Sequence, residues 1–315
     1  MKRVVFVTDH LFEERGYGGM EITQKELAVR VPDGIDVEFV SIDAMSRMED
    51  GTTATPEDLL ARTKDRTDAA DVVVFTNIAR WSRDVIVSIT EDVPYVKMEF
   101  DWGFCKTHLK NCENDCAECV ADGWYKEFLQ GAERIFFTCP MQKDWYRKIL
   151  GTVADNSILN PSWIDPDAWP NRGLERDPNM VMFHGNLFPH KGPLELAQQA
   201  VLHPDMRFVI VGGGPAEVIR RLELVRNVHL LGQLDHDSLV ALLNRATHWM
   251  MLSQWDDTGP MAAIEAYLCG AKMVRNDRLG YFSYPWDWND PEAVRTELRK
   301  IPGRFWDEIQ SILEP

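Results

Sequence analysis

Short apolar runs and amphipathic stretches alternate along the first half of the chain. Val4–Asp9 is followed by a helical pattern over 18–31, an apolar run at 37–42, a helical period over 59–70, and further runs at 71–76, 93–99 and 134–138. The pattern resumes with runs at 180–185, 207–214, 228–232, 248–253 and 272–277, separated by helical stretches at 193–202, up to Leu224, at 236–246 and at 261–270. Near-continuous apolar strands alternating with helices predict βαβ units around parallel sheets, here two Rossmann-like α/β domains. Residues 160–179, rich in Pro, Asp and Trp, continue neither element and read as the linker. We place the first domain at 1–158, the second at 159–290, and closing helices at 291–315, with Pro291 in the first turn of one of them. The aromatic segment from Leu279 to Asp290 reads as a covering loop or, as the alternative, a sugar-stacking platform.

A length of 315 residues suits two such domains. The formal net charge of -16 argues against duplex nucleic acid and anionic lipid as partners. No apolar run approaches the roughly 18 residues of a membrane helix, and the opening residues read as a strand, so a cytoplasmic protein is expected. Lys143, Trp145, Tyr146, Arg147 and Lys148 mix basic and aromatic side chains; an exposed helix end is favoured there over peripheral membrane contact. Four of the six cysteines, Cys105, Cys112, Cys116 and Cys119, share one window, and four thiolates at this spacing can close a structural zinc site, with His108 as a substitute ligand. Free or redox-active thiols and disulfides are the alternatives, the last disfavoured in a reducing compartment.

Glycine joins strand to helix at four places, and a helix start offers N–H groups to an anion. Gly16-Tyr17-Gly18-Gly19 lies several residues beyond its strand, which spoils a dinucleotide fingerprint. His184-Gly185-Asn186-Leu187 leads to Lys191-Gly192, where Lys191 either sets a cation on a diphosphate or is an ordinary loop lysine. Gly212-Gly213-Gly214-Pro215 has Glu217 in place of a third glycine, and the next strand ends in Leu231 and Gly232, not in the acid that binds a dinucleotide ribose. The fourth runs from Trp255 to Gly270: Gly259 and Pro260 fit a helix start and Gly270 its left-handed end. Asp257 before that helix and Glu265 within it border one pocket, where carboxylates accept from vicinal hydroxyls while the N–H groups of Met261 and Ala262 hold a diphosphate or a sugar hydroxyl. Hydroxyl and phosphate recognition together point to a nucleotide sugar.

The sequence resembles the retaining glycosyltransferases of family 4, most strongly from Met180 to Val274. Gly18-Gly19-Met20-Glu21 matches the family's first glycine turn. Gly185-Asn186-Leu187 with Lys191-Gly192 matches its Gly-Arg-Leu and Lys-Gly turns, except that Asn186 replaces the arginine. Asn227 to Gly232 matches an Asn-Val-x-x-Leu-Gly segment, and Asp257, seven residues, then Glu265 matches its paired acids with the first shortened by a methylene. The resemblance implies the GT-B fold, with two Rossmann-like domains facing a cleft and the last helix packed back on the first domain. It implies transfer of a sugar with retention from a UDP- or GDP-sugar to an unknown acceptor, without a catalytic metal. It assigns the leaving diphosphate to Lys191 (Asn186 standing at the second cation's place), the donor sugar to Asp257, the ribose to Glu265, and the base to backbone groups of Leu231 and Gln233. The glycine turns, including Gly18, Gly19 and Gly214, and the helix start from Gly259 to Ala262 complete the donor site. Asp101, after the strand at 93–99, is the candidate acceptor-side residue, with a capping or salt-bridging role as the alternative. A nucleotide-sugar-binding protein that has lost transfer, or a sugar-nucleotide 2-epimerase on the same fold, is the competing function.

Overall fold

In a computed structural model the described residues are 1–11, 18–48, 50–105, 119 and 123–314. They form two compact units: Met1–Trp163 with Lys300–Pro315, and Ile164–Arg299. In the first unit, β1 (Lys2–Thr8), α1 (Gly19–Val29), β2 (Ile35–Ser41), α2 (Ile42–Met45), α3 (Pro56–Thr67), β3 (Val72–Phe75), α4 (Arg83–Thr90), β4 (Tyr95–Glu99), α5 (Trp124–Gly131), β5 (Arg134–Phe137), α6 (Pro140–Leu150) and β6 (Ser157–Leu159) follow one another. The strands form one six-stranded sheet in the order β2-β1-β3-β4-β5-β6, and every pairing in it is parallel. Val4, Phe6, Val72, Val74 and Val96 are fully buried, which is why the strands read as unbroken apolar runs. The helix starts follow local chemistry: Thr55 and Asp58 form a reciprocal capping box around Pro56, and the Cys139 sulfur caps α6 by accepting from the Gln142 N–H.

The second unit runs β7 (Asp177–His184), α7 (Pro193–Leu202), β8 (Arg207–Val211), α8 (Ala216–Glu223), β9 (Val228–Leu230), α9 (His236–Arg245), β10 (Ala246–Met251), α10 (Met261–Leu268), β11 (Lys272–Arg275) and α11 (Pro291–Arg299). Its five-stranded sheet has the order β11-β10-β7-β8-β9 and is again parallel throughout. The segment from Leu279 to Asp290 packs its aromatic residues together, with Tyr281 and Tyr284 buried and Trp288 against Tyr267 and Phe282.

The units divide at positions other than those expected. Trp163 stays with the first unit because its N–H donates to Thr23 Oγ1 and Arg30 lies over its ring at 4.0 Å. Most of the stretch read as a linker is tied to the second unit: Arg295 donates to the carbonyls of Pro166, Trp169 and Leu268, and Asn244 holds Pro170 and Arg172. Arg295 thereby fastens α11 to that unit as well, although 291–299 was grouped with the closing helices. The chain then returns to the first unit as α12 (Ile301–Leu313), whose Phe305, Trp306, Ile309 and Leu313 join the core of Val4, Phe6, Leu27, Val72 and Phe136. Trp306 Nε1 donates to the Leu27 carbonyl at 3.0 Å, so even its one polar atom is satisfied in that core.

Candidate functional site

In the second unit the turns after β7 and β8 meet at backbone distance. Gly212 has φ +132°, and a Cβ there would lie 2.0 Å from the Gly185 carbonyl oxygen. A Cβ on Gly214 would lie 2.7 Å from that of Leu187, and one on Gly185 would come 3.8 Å from the Cβ of Ala262. Three expected donor-site segments, Gly185–Leu187, Gly212–Gly214 and the start of α10, are thus brought together beyond the carboxyl ends of parallel strands, where open α/β sheets bind ligands. Pro260 precedes α10, and Met261 and Ala262, in its first turn, have no helical acceptor for their N–H groups.

Lys191 Nζ lies 2.5 Å from Asp257 Oδ2 and 4.8 Å from the centroid of the Trp255 ring. Asp257 is buried and its backbone is clamped on both sides, its N–H donating to Arg278 and its carbonyl accepting from Gly280. The two residues expected to share the donor are therefore in contact, and the ammonium, part-exposed, is the partner free to turn towards a phosphate. Beside them, burial and then the charge of Lys191 push the His190 imidazole below its ordinary range, with Asp257 opposing.

Glu265, in α10, meets a residue that sequence reasoning did not single out. His184 Nε2 lies 2.7 Å from Glu265 Oε2, and His184 Nδ1 lies 3.0 Å from Trp249 Nε1. Nothing local marks His184 as special; its place at the end of β7, directly before Gly185, was the one available signal. Cys269, which follows α10, is pushed up to about 12 by burial and then by Glu265, so it is a protonated packing residue. At the far side of the sheet the Leu231 N–H is spent on the Ile210 carbonyl, so of its backbone pair the carbonyl is the group left for a base. Asn186, Gly214, Leu231 and Gln233 are exposed, and Gly259 is half-buried.

In the first unit Gly18 precedes α1, and a Cβ there would lie 1.9 Å from Glu21 Oε2: the helix's own glutamate folds over the start at Gly18 and Gly19 that was expected to face an anion. Gly16 and Tyr17 lie outside the described residues. Asp101 accepts from Asn77 Nδ2 at 3.2 Å and lines a cavity of about 390 Å³ together with Lys97, Glu99, Cys105, Trp124 and Tyr125. Lys97 was missed as chemistry because it reads as part of a strand. Lys97 is fully buried, its Nζ donating to the Thr76 and Met98 carbonyls and lying 3.5 Å from Glu99 Oε2; burial pushes its ammonium down and Glu99 opposes. Glu99 also accepts from the Gly103 N–H and the Tyr125 hydroxyl, so of the two carboxylates at the cavity wall it is the one held by the surrounding structure.

Of the proposed zinc ligands, Cys112, Cys116 and the substitute His108 lie outside the described residues, while Cys105 and Cys119 both line this cavity. Among the described residues no group of three or more His, Cys, Asp or Glu side chains could hold a metal. In α6, Lys148 sits 4.4 Å over the Trp145 ring and Arg147 pairs with Asp155, so two of its cations are engaged within the unit. No described helix is long and apolar enough to cross a membrane.

Residues 167–284, which lie in the second unit, match the family of glycosyl transferases group 1. The chain is 25% identical over 135 residues to the phosphatidylinositol N-acetylglucosaminyltransferase GPI3 subunit of Saccharomyces cerevisiae, a match spanning 39% of this chain and 29% of that one. The chain therefore matches under a third of that relative's length. Among solved structures it superposes on Anabaena HepE in complex with UDP and glucose with a TM-score of 0.70 at 14% identity, covering 99% of this chain and 100% of that one. It superposes on the sucrose-phosphate synthase of Thermosynechococcus elongatus with a TM-score of 0.67 at 16% identity, covering 99% and 95%. At these identities the likeness establishes the fold, the two parallel-sheet α/β domains of GT-B proteins.

Proposed function

We propose that the chain is a retaining glycosyltransferase of family 4 that takes a sugar from a nucleotide-diphosphate sugar, with UDP- and GDP-sugars as the first donors to test. The observation that carries this reading is the convergence of Lys191, Asp257, Glu265 and the glycine turns at the carboxyl edge of one sheet, inside the segment that matches group 1 glycosyltransferases. The bond from the sugar's anomeric carbon to the diphosphate breaks with its electron pair on the phosphate oxygen. The acceptor hydroxyl oxygen bonds to that carbon, and its proton passes to the departing diphosphate oxygen. Charge builds on the leaving diphosphate, so the groups that matter most are those that meet it there. Lys191 supplies the cation once it turns from Asp257, which is left to accept from sugar hydroxyls; Glu265 takes the ribose and the α10 start the phosphates. No metal is needed in this scheme. The Asp101 cavity is the acceptor side, and structural zinc at Cys105, Cys112, Cys116 and Cys119 is part of this reading, to be checked by metal analysis of the purified protein. A cytoplasmic location goes with this reading.

Asn186 in place of an arginine, and the shortened acid at Asp257, favour as a second reading a donor-binding protein without transfer. One experiment separates the two. Nucleotide-sugar turnover and binding are measured for the wild type and for Lys191→Ala. Transferase chemistry is expected to lose at least about tenfold in turnover while donor affinity falls less, because the missing charge counts most as the bond breaks. Donor binding without turnover by the wild type establishes the second reading, and no binding of any nucleotide sugar overturns both.

A further inference from the structure

Trp249 is fully buried and His184 is 4% exposed, and both belong to adjacent strands of the second sheet, where Trp249 pairs with Met182. An indole nitrogen only donates, so His184 Nδ1, 3.0 Å away, must accept. The imidazole hydrogen then sits on Nε2 and is donated to Glu265 Oε2 at 2.7 Å. A second hydrogen on Nδ1 would face the indole N–H, so this arrangement requires the neutral ring and leaves the carboxylate its charge. Trp169 and Trp249 also flank the imidazole, with ring centroids 6.5 and 6.0 Å away. One oxygen of Glu265 is therefore held from the sheet interior by a chain of two hydrogen bonds, while the side chain remains part-exposed.

We propose that Trp249 and His184 are positioning residues that hold the Glu265 carboxylate in the orientation that accepts from the ribose hydroxyls of a nucleoside diphosphate. A glutamate left to its own rotamers must be ordered when ligand arrives, and an anchored one is ordered beforehand. The proposal rests on the donor-site reading above. Its test measures binding of UDP and GDP, each beside its 2′,3′-dideoxy analogue, by titration calorimetry.

The wild type is expected to prefer the ribonucleotide by about tenfold or more, the worth of a charge-assisted hydrogen bond. Glu265→Gln and His184→Phe should each reduce that preference to about threefold or less. His184→Gln, whose amide N–H stands in for Nε2–H, should recover part of it, and Trp249→Phe should lie between wild type and His184→Phe. Affinity for the dideoxy analogue should hold across the series, which separates lost positioning from a damaged fold. If His184→Phe keeps the preference that Glu265→Gln loses, or weakens both ligands alike, the relay is overturned and the donor reading stands. If the wild type binds neither nucleotide, or does not discriminate against the dideoxy analogue, the donor reading falls and the relay with it.

Discussion

Gly192 has φ +83°, and a Cβ there would stand 2.2 Å from the carbonyl oxygen of Leu252, just past the end of β10. It is the point where the turn carrying Lys191 presses on the neighbouring strand end. Gly192→Ala is expected to destabilise the second unit by at least about 2 kcal/mol, since the left-handed backbone and the displaced carbonyl both count against it. Gly213, with nothing within 4 Å of its would-be Cβ, should tolerate alanine within about 0.5 kcal/mol. Urea unfolding of the two variants checks the contrast. Single residues also mark the limit of what the sequence discloses. Asp257, Glu265 and Lys191 stand out because they stand at the spacing of the family's paired acids and Lys-Gly turn, beside glycine-bounded helix starts. His184 and Lys97 do not, because each sits at the end of or within an apolar strand and acquires its role from partners far along the chain.

Helix α12 contributes to the first unit's core from the other end of the chain, with Phe305 touching the Phe6 and Phe136 rings. Phe305→Ala removes a fully buried ring and should cost the first unit about 3–5 kcal/mol. The unfolding transition of the second unit should not move, because Phe305 lies outside it. Near-UV and far-UV dichroism followed through one urea series checks both. Most strands and helices were legible because their periodicity is set by burial on two faces. Boundaries were less so. Ser41 ends β2 by accepting from the Ala44 N–H and starting the short α2, a one-residue decision inside a run that reads as strand. Helix α11 goes with the second unit through Arg295, whose carbonyl partners at Pro166 and Trp169 no local pattern reveals.

At the scale of the whole molecule, βα alternation and two similar halves were enough to anticipate two Rossmann-like domains, while the GT-B fold and a donor segment around Met180 to Val274 were expectations drawn from the resemblance. Composition says nothing of it, but the resemblance led us to expect the last helix on the first domain: the first unit is assembled from two separated stretches, with the second unit inserted between Trp163 and Lys300. During synthesis, residues 164–299 leave the ribosome while the first unit still lacks the helix that fills its core. At roughly 5–20 residues per second that interval lasts on the order of ten seconds or more. Ribosome-arrested nascent chains should show the inserted unit resisting protease before the flanking one does. The unit begun first is thus the last to close, and for that interval its apolar sheet face depends on chaperones or on speed to escape aggregation.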